Sequence, residues 1–262
     1  MNLPVSKWPG ALSLAAILIF SVTIILVQST SAQSASDQGV HNDGFRPLFN
    51  GVDLSGWVIP EGDGGHWKVL DGVIDYDAMS QAPGDKDLWT GDEFGDFVLR
   101  LEWRIPETPF VNPNARIIRP DGTYQRDASG NPISIAVPDS DSGIYLRGTS
   151  KAQVNIWCWP VGSGEVYGYR TDASMPAEVI AGVTPSVFAD NHIGEWNTFE
   201  ITMVGDRLTV ELNGQLVIED VPLPGVDERG PIALQHHGRQ VDGEWTSSPS
   251  LVQFRNISIR EL

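Results

Sequence analysis

Residues 207 to 220, RLTVELNGQLVIED, alternate apolar and polar side chains on both sides of Asn213-Gly214. An Asn-Gly pair tolerates the positive φ that a two-residue type I′ turn demands, so this stretch reads as a β-hairpin. Its period of two sends one face of each strand to a core and the other outward. The same rhythm recurs in HWKVL (66 to 70), GVIDY (72 to 76), DFVLRLEWR (96 to 104), SGIYLRG (142 to 148), QVNIWCW (153 to 159), EWNTFEITMV (195 to 204), PIALQHH (231 to 237) and LVQFRNISIREL (251 to 262). Helical periodicity of useful length is missing from residue 45 onward. Short strands punctuated by Gly, Asp, Asn and Pro predict an all-β fold: a two-sheet antiparallel β-sandwich of jelly-roll type in one domain.

The N-terminus differs. Lys7, the uncharged apolar run 11 to 27 and the small residues Thr30-Ser31-Ala32 resemble a secretory signal over 1–32, with an uncleaved membrane anchor as the alternative. Either assignment implies export to the periplasm or medium. Residues 33–44 read as a polar linker, leaving 45–262 as the folded domain. With 17 Lys and Arg against 34 Asp and Glu, the chain repels phosphate backbones and anionic lipid, which disfavours nucleic acid as a partner and leaves membrane contact to the anchor alone. A single cysteine, Cys158, excludes an internal disulfide. Its parity places it inward as a core residue.

Strand parity sorts the polar residues. Glu102 and Arg104 lie opposite Leu99, Leu101 and Trp103. Tyr145 and Arg147 lie opposite Ile144 and Leu146. Asn155, Trp157 and Trp159 lie opposite Val154 and Ile156. In IALQHH, Ile232, Leu234 and His236 share one face, and Ala233, Gln235 and His237 the other. An outer surface of amides, guanidinium groups, carboxylates and tryptophans suits a hydroxyl-rich ligand, so a carbohydrate is the expected partner. Protein partners are not indicated. Residues 106–141 hold six prolines and no sustained pattern, which reads either as a rim over a cleft or as a solvated insertion.

The stretches LFNGVDLSGW, HWKVLDGVI, FGDFVLRLEWR, DSGIYLRG, VYGYR, GEWNTFEITMVGDRLTVELNG, GPIALQHHG and FRNISIREL, in this order from about residue 45, resemble the 3-keto-disaccharide hydrolase family. The resemblance implies a concanavalin A-like sandwich and cleavage of a glycosidic bond in a sugar already oxidised at C3. A ketone there acidifies the C2 hydrogen, so a base can remove it, the C1 aglycone can leave and water can add to the double bond. Such chemistry needs an acid, a base and donors for the enolate. The candidates are Glu102, Glu165 and His237 for proton transfer and Arg104 and Arg147 for the negative charge. Tyr145, Asn155, Trp157, Tyr167, Gln235 and His236 are the candidates for binding sugar.

Two other readings compete. A conventional sandwich glycosidase of the E-x-D-x-x-E type lacks its motif here, since Arg104 stands where the middle acid belongs. A non-catalytic carbohydrate-binding, laminin-G-like module fits the fold and the tryptophans. No cofactor is identified. A divalent metal, calcium or a transition metal, stays open: Asp139 with Asp141, and Glu61 with Asp63, are acidic enough, but turn aspartates explain them more simply.

Overall fold

In the computed structural model, which describes residues 43–262, the strand Phe97–Arg104 buries Phe97, Leu99, Leu101 and Trp103 and leaves Arg100, Glu102 and Arg104 half-buried on its other face. The expected signal segment, and all but the last two residues of the expected linker, lie outside the described residues. Phe97–Arg104 sits at the centre of the larger sheet, between Asn197–Val204 and Leu251–Glu261. The hairpin Arg207–Leu212 and Gln215–Pro222 extends one side of that sheet, and Val73–Asp77 with Trp67–Leu70 the other. Asn213 and Gly214 take φ of 53° and 73°, as an Asn-Gly turn requires.

The smaller sheet runs Thr149–Ile156, Ser142–Leu146, Gly230–Leu234, Leu88–Phe94 and Trp57–Val58, all antiparallel. One apolar cluster joins the two: Leu99, Leu101, Phe199 and Phe254 of the larger sheet meet Ile144, Leu146, Val154 and Ile232 of the smaller. The architecture is therefore a two-sheet antiparallel sandwich. Burial of each such large side chain contributes about 1.5–3 kcal/mol. Two short helices, Tyr167–Arg170 and Ala177–Gly182, cap one edge. None among the described residues is long and apolar enough to span a membrane.

Residues 106–141 are more ordered than their sequence suggests. Val111–Arg116 pairs with Ser134–Pro138 as a two-stranded ribbon, continued by bridges from Ile118 to Tyr124 and from Arg126 to Pro132. Both faces of the ribbon are largely exposed, so it carries no alternation to read. Its turn is nonetheless docked: a Cβ on Gly122 (φ +77°) would stand 2.6 Å from the Ile180 carbonyl.

Candidate active site

Three amides meet on the outer face of the smaller sheet. Gln153 and Asn155 project opposite the buried Val154 and Ile156, and Gln235 extends Gly230–Leu234 on the side opposite Leu234. Gln153 Nε2 donates to Gln235 Oε1 at 2.6 Å, to the Ser142 carbonyl at 3.2 Å and to Asn155 Oδ1. These bonds occupy the oxygens of Asn155 and Gln235 and leave their NH2 groups as donors. Gly143, opposite Asn155 in register, makes the cluster fit: a Cβ there would lie 2.5 Å from Gln153 Nε2.

Asn155 and Gln235 line a cleft of about 700 Å³. One wall is aromatic. Trp157 and Trp159 stack at 4.3 Å with 4° between planes, and Tyr167 meets Trp157 edge-on at 6.5 Å. The lining also includes Trp245, from the hairpin Arg239–Val241 and Glu244–Ser247, and Asn112 of the 111–138 ribbon. Flat apolar faces beside amide donors match the two kinds of surface a sugar ring presents.

The reactive groups of the cleft are His237 and Asp141. His237 Nδ1 lies 2.6 Å from the Ser248 carbonyl, an acceptor only, so Nδ1 carries a proton and in the neutral ring the free lone pair is on Nε2. Ser248 is itself held, its Oγ donating to Asp139 Oδ2 at 2.7 Å. Asp139 also accepts from Asn112 Nδ2, Trp159 Nε1 and the Cys158 N–H, so one buried carboxylate ties the ribbon, the aromatic wall and the His237 support together. Asp141 differs from Asp139, its side chain having no hydrogen-bond partner among the described residues. Removal from water pushes its carboxyl up to about 7, against the pull of His237 and with a push from Asp139. A carboxyl that exchanges protons near neutrality beside an imidazole with a free lone pair is equipped for acid–base chemistry.

Of the residues expected from sequence, Asn155, Trp157, Tyr167, Gln235 and His237 come together here. Glu102 and Arg104 do not. They lie on the outer face of the larger sheet, across the core from the cleft, where Glu102 accepts from Arg255 at 2.7 Å and Arg104 donates to Gln253 at 2.6 Å. Parity places a residue outward without saying from which sheet. Arg147 also lies elsewhere. It occupies a turn with Gly148, both at positive φ, so strand alternation ends before it. Its buried guanidinium donates to the carbonyls of Gly95, Gly205 and Asp227 and to Asp96.

Tyr145 packs against Trp89, outside the cleft lining. His236 turns the other way from His237: its Nδ1 meets the Tyr76 hydroxyl at 2.7 Å, and burial drives its pKa down to about 4. Glu165 is fully buried behind the cleft wall, paired with Arg170, and its Oε2 has no partner. Burial raises its pKa against the pull of Arg170, and the Asp141 charge adds to the rise. Asp141, weighed from sequence only as a metal ligand, is the acid–base group the sequence did not reveal: its setting in DSD looks like any turn, and only its place in the cleft near His237 distinguishes it.

Among the described residues, no group of three or more His, Cys, Asp or Glu side chains is placed to hold a metal ion. Asp63, considered for calcium, spends Oδ2 on the backbone N–H groups of Gly65, His66 and Trp67.

The profile of a family described as the 3-keto-alpha-glucoside-1,2-lyase-like domain matches residues 44–260. Two crystal structures from Parabacteroides distasonis, each provisionally described as a glycosyl hydrolase, share the fold. One is 24% identical with a TM-score of 0.52, covering 84% of either chain. The other is 17% identical with a TM-score of 0.51, covering 84% of this chain and 94% of its own. A comparison with curated proteins finds no match.

Proposed function

The chain belongs to the 3-keto-alpha-glucoside-1,2-lyase-like domain family, and from that premise we propose that it cleaves 3-keto-glycosides by elimination followed by hydration. The observation carrying this reading is that Asp141 and His237 line one aromatic-walled cleft, close enough for the His237 charge to act on the Asp141 carboxyl. His237 Nε2 takes the C2 proton; the electron pair forms the C1–C2 double bond, and the C1–O bond to the aglycone breaks. Asp141, which titrates near neutral pH, gives its proton to the departing oxygen from its protonated form. The NH2 groups of Asn155 and Gln235 face the oxygen on C3 as negative charge gathers there, a preorganised donor pair in a site of low dielectric. Addition of water across the double bond then completes the net hydrolysis. Trp157, Trp159 and Tyr167 hold the ring.

The test is release of aglycone from a 3-keto-glucoside and from its unoxidised parent. Release from the keto sugar only, slowed by deuterium at C2, supports elimination. Equal release from both indicates an ordinary glycosidase, and binding without release a carbohydrate-binding module.

A further inference from the structure

A second cavity, of about 290 Å³, is lined in part by Val137 and Pro138 of the ribbon, and Trp157 forms a wall of both it and the cleft. Its lining is mostly hydrocarbon: Ile105, Val137, Phe188 and Ile193 join the rings of Trp103 and Trp157. Phe188 and Ile193 stand at the rim, 58% and 48% exposed. Such a lining with few convergent polar groups is the usual composition of a small-molecule site.

The polar groups present are specific. Trp103 and Asn197 are direct cross-strand partners on neighbouring strands of the larger sheet, both line the cavity, and both are at least 98% buried. Trp103 Nε1 is a buried donor with no partner. Asn197 Oδ1 accepts from the Asn191 N–H and from Asn213 Nδ2, each at 2.8 Å, which fixes the amide orientation. Asn197 Nδ2 is then left without an acceptor among the described residues. An unpaired buried N–H costs about 1–3 kcal/mol, and Trp103 Nε1 is such a group, with the Asn197 amide on the neighbouring strand at its cross-strand position.

The neighbouring polar groups do not answer them. The Asp190 carboxylate takes both the N–H and the hydroxyl of Ser163, and the Trp157 indole N–H donates to the Gly162 carbonyl at 2.7 Å. Cys158 contributes a neutral thiol, since burial pushes its pKa up to about 12. Burial likewise raises the Asp190 pKa, a sign of how poorly this recess tolerates negative charge.

We infer that this cavity binds a flat apolar ring carrying a neutral acceptor oxygen, such as an aryl ketone, with the oxygen placed against Trp103 Nε1 and Asn197 Nδ2. That chemistry has two sources, the aglycone of a glycoside seated in the adjoining cleft or a separate small molecule. The inference rests on the cavity alone and stands whether or not the catalytic reading does.

Isothermal titration of the full chain with acetophenone, and with ethylbenzene as the ring without the oxygen, tests it. Acetophenone binds at least about tenfold more tightly, as one satisfied donor pair requires. The preference vanishes in Trp103→Phe, which keeps an aromatic ring and loses the N–H. Because Trp103 is a core residue, Phe188→Ala at the exposed rim supplies a variant that folds regardless, and it weakens both ligands severalfold. Equal binding of the two probes, no binding at all, or binding indifferent to Phe188→Ala overturns the inference. A 3-keto-glucoside bearing a 4-acetylphenyl aglycone then separates the sources. If the site serves the aglycone, Phe188→Ala raises KM for that substrate and not for the methyl 3-keto-glucoside; if it serves a separate ligand, acetophenone binds without competing with either.

Discussion

Replacing Asp141 with Asn removes a charge that the fold holds at a disadvantage, so the variant becomes more stable as it loses activity. The Asp141 carboxyl keeps its proton to about pH 7 in the folded protein, whereas the unfolded chain releases it near 3.8. Between those values the folded state binds more protons, so stability falls as pH rises through the window and stays low above it. The gap between 3.8 and about 7 corresponds to a ceiling of about 4 kcal/mol at pH 8. Water at the cleft mouth reduces this to about 1–2 kcal/mol, since the residue is only partly buried. For a domain of this size that is a gain of about 2–8 °C in Tm. Thermal unfolding of both proteins at pH 8 and pH 4 reads it: the gain is present at pH 8 and gone at pH 4. In parallel, aglycone release drops about 10²- to 10⁴-fold, and the decline of activity above about pH 7 disappears from the profile. A loss of Tm at pH 8, a gain that ignores pH, or undiminished turnover would refute the assignment.

His237→Gln lowers kcat by about 10²- to 10⁴-fold, while Glu102→Gln, across the sandwich, leaves kcat and KM unchanged; steady-state kinetics on a 3-keto-glucoside distinguishes them. Arg147→Met strips charged donors from three carbonyls and Asp96, which costs about 2–4 kcal/mol in urea unfolding with KM unaltered in the surviving native protein. Gly143→Ala forces a methyl into the Gln153 amide, so substrate binding weakens about tenfold while the fold, judged by circular dichroism, persists. Asp139→Ala orphans four donors and frees Ser248, so it lowers both stability, by about 3–5 kcal/mol, and turnover; calorimetry with kinetics checks both.

Much of the fold was legible in the chain because strand alternation and turn chemistry are local. Asn213-Gly214 specifies its hairpin from adjacent φ preferences, and the period of two places Gln235 and His237 opposite Leu234 with no knowledge of any other strand. Alternation also separates the two histidines, one against Tyr76 and one in the cleft. Alternation held past the strand end at Leu234 because the chain there stays extended in direction, and it failed at Arg147, where the backbone turns at φ 50°. Tertiary structure decided which sheet each outer face belongs to. Glu102 and Asn155 are equivalent by parity, yet backbone pairing between residues far apart in sequence puts them on opposite sides of the sandwich. It also decided the chemistry of Asp141, because a proton affinity depends on the water excluded and the charges gathered around a carboxyl, and those come from segments nearly a hundred residues apart.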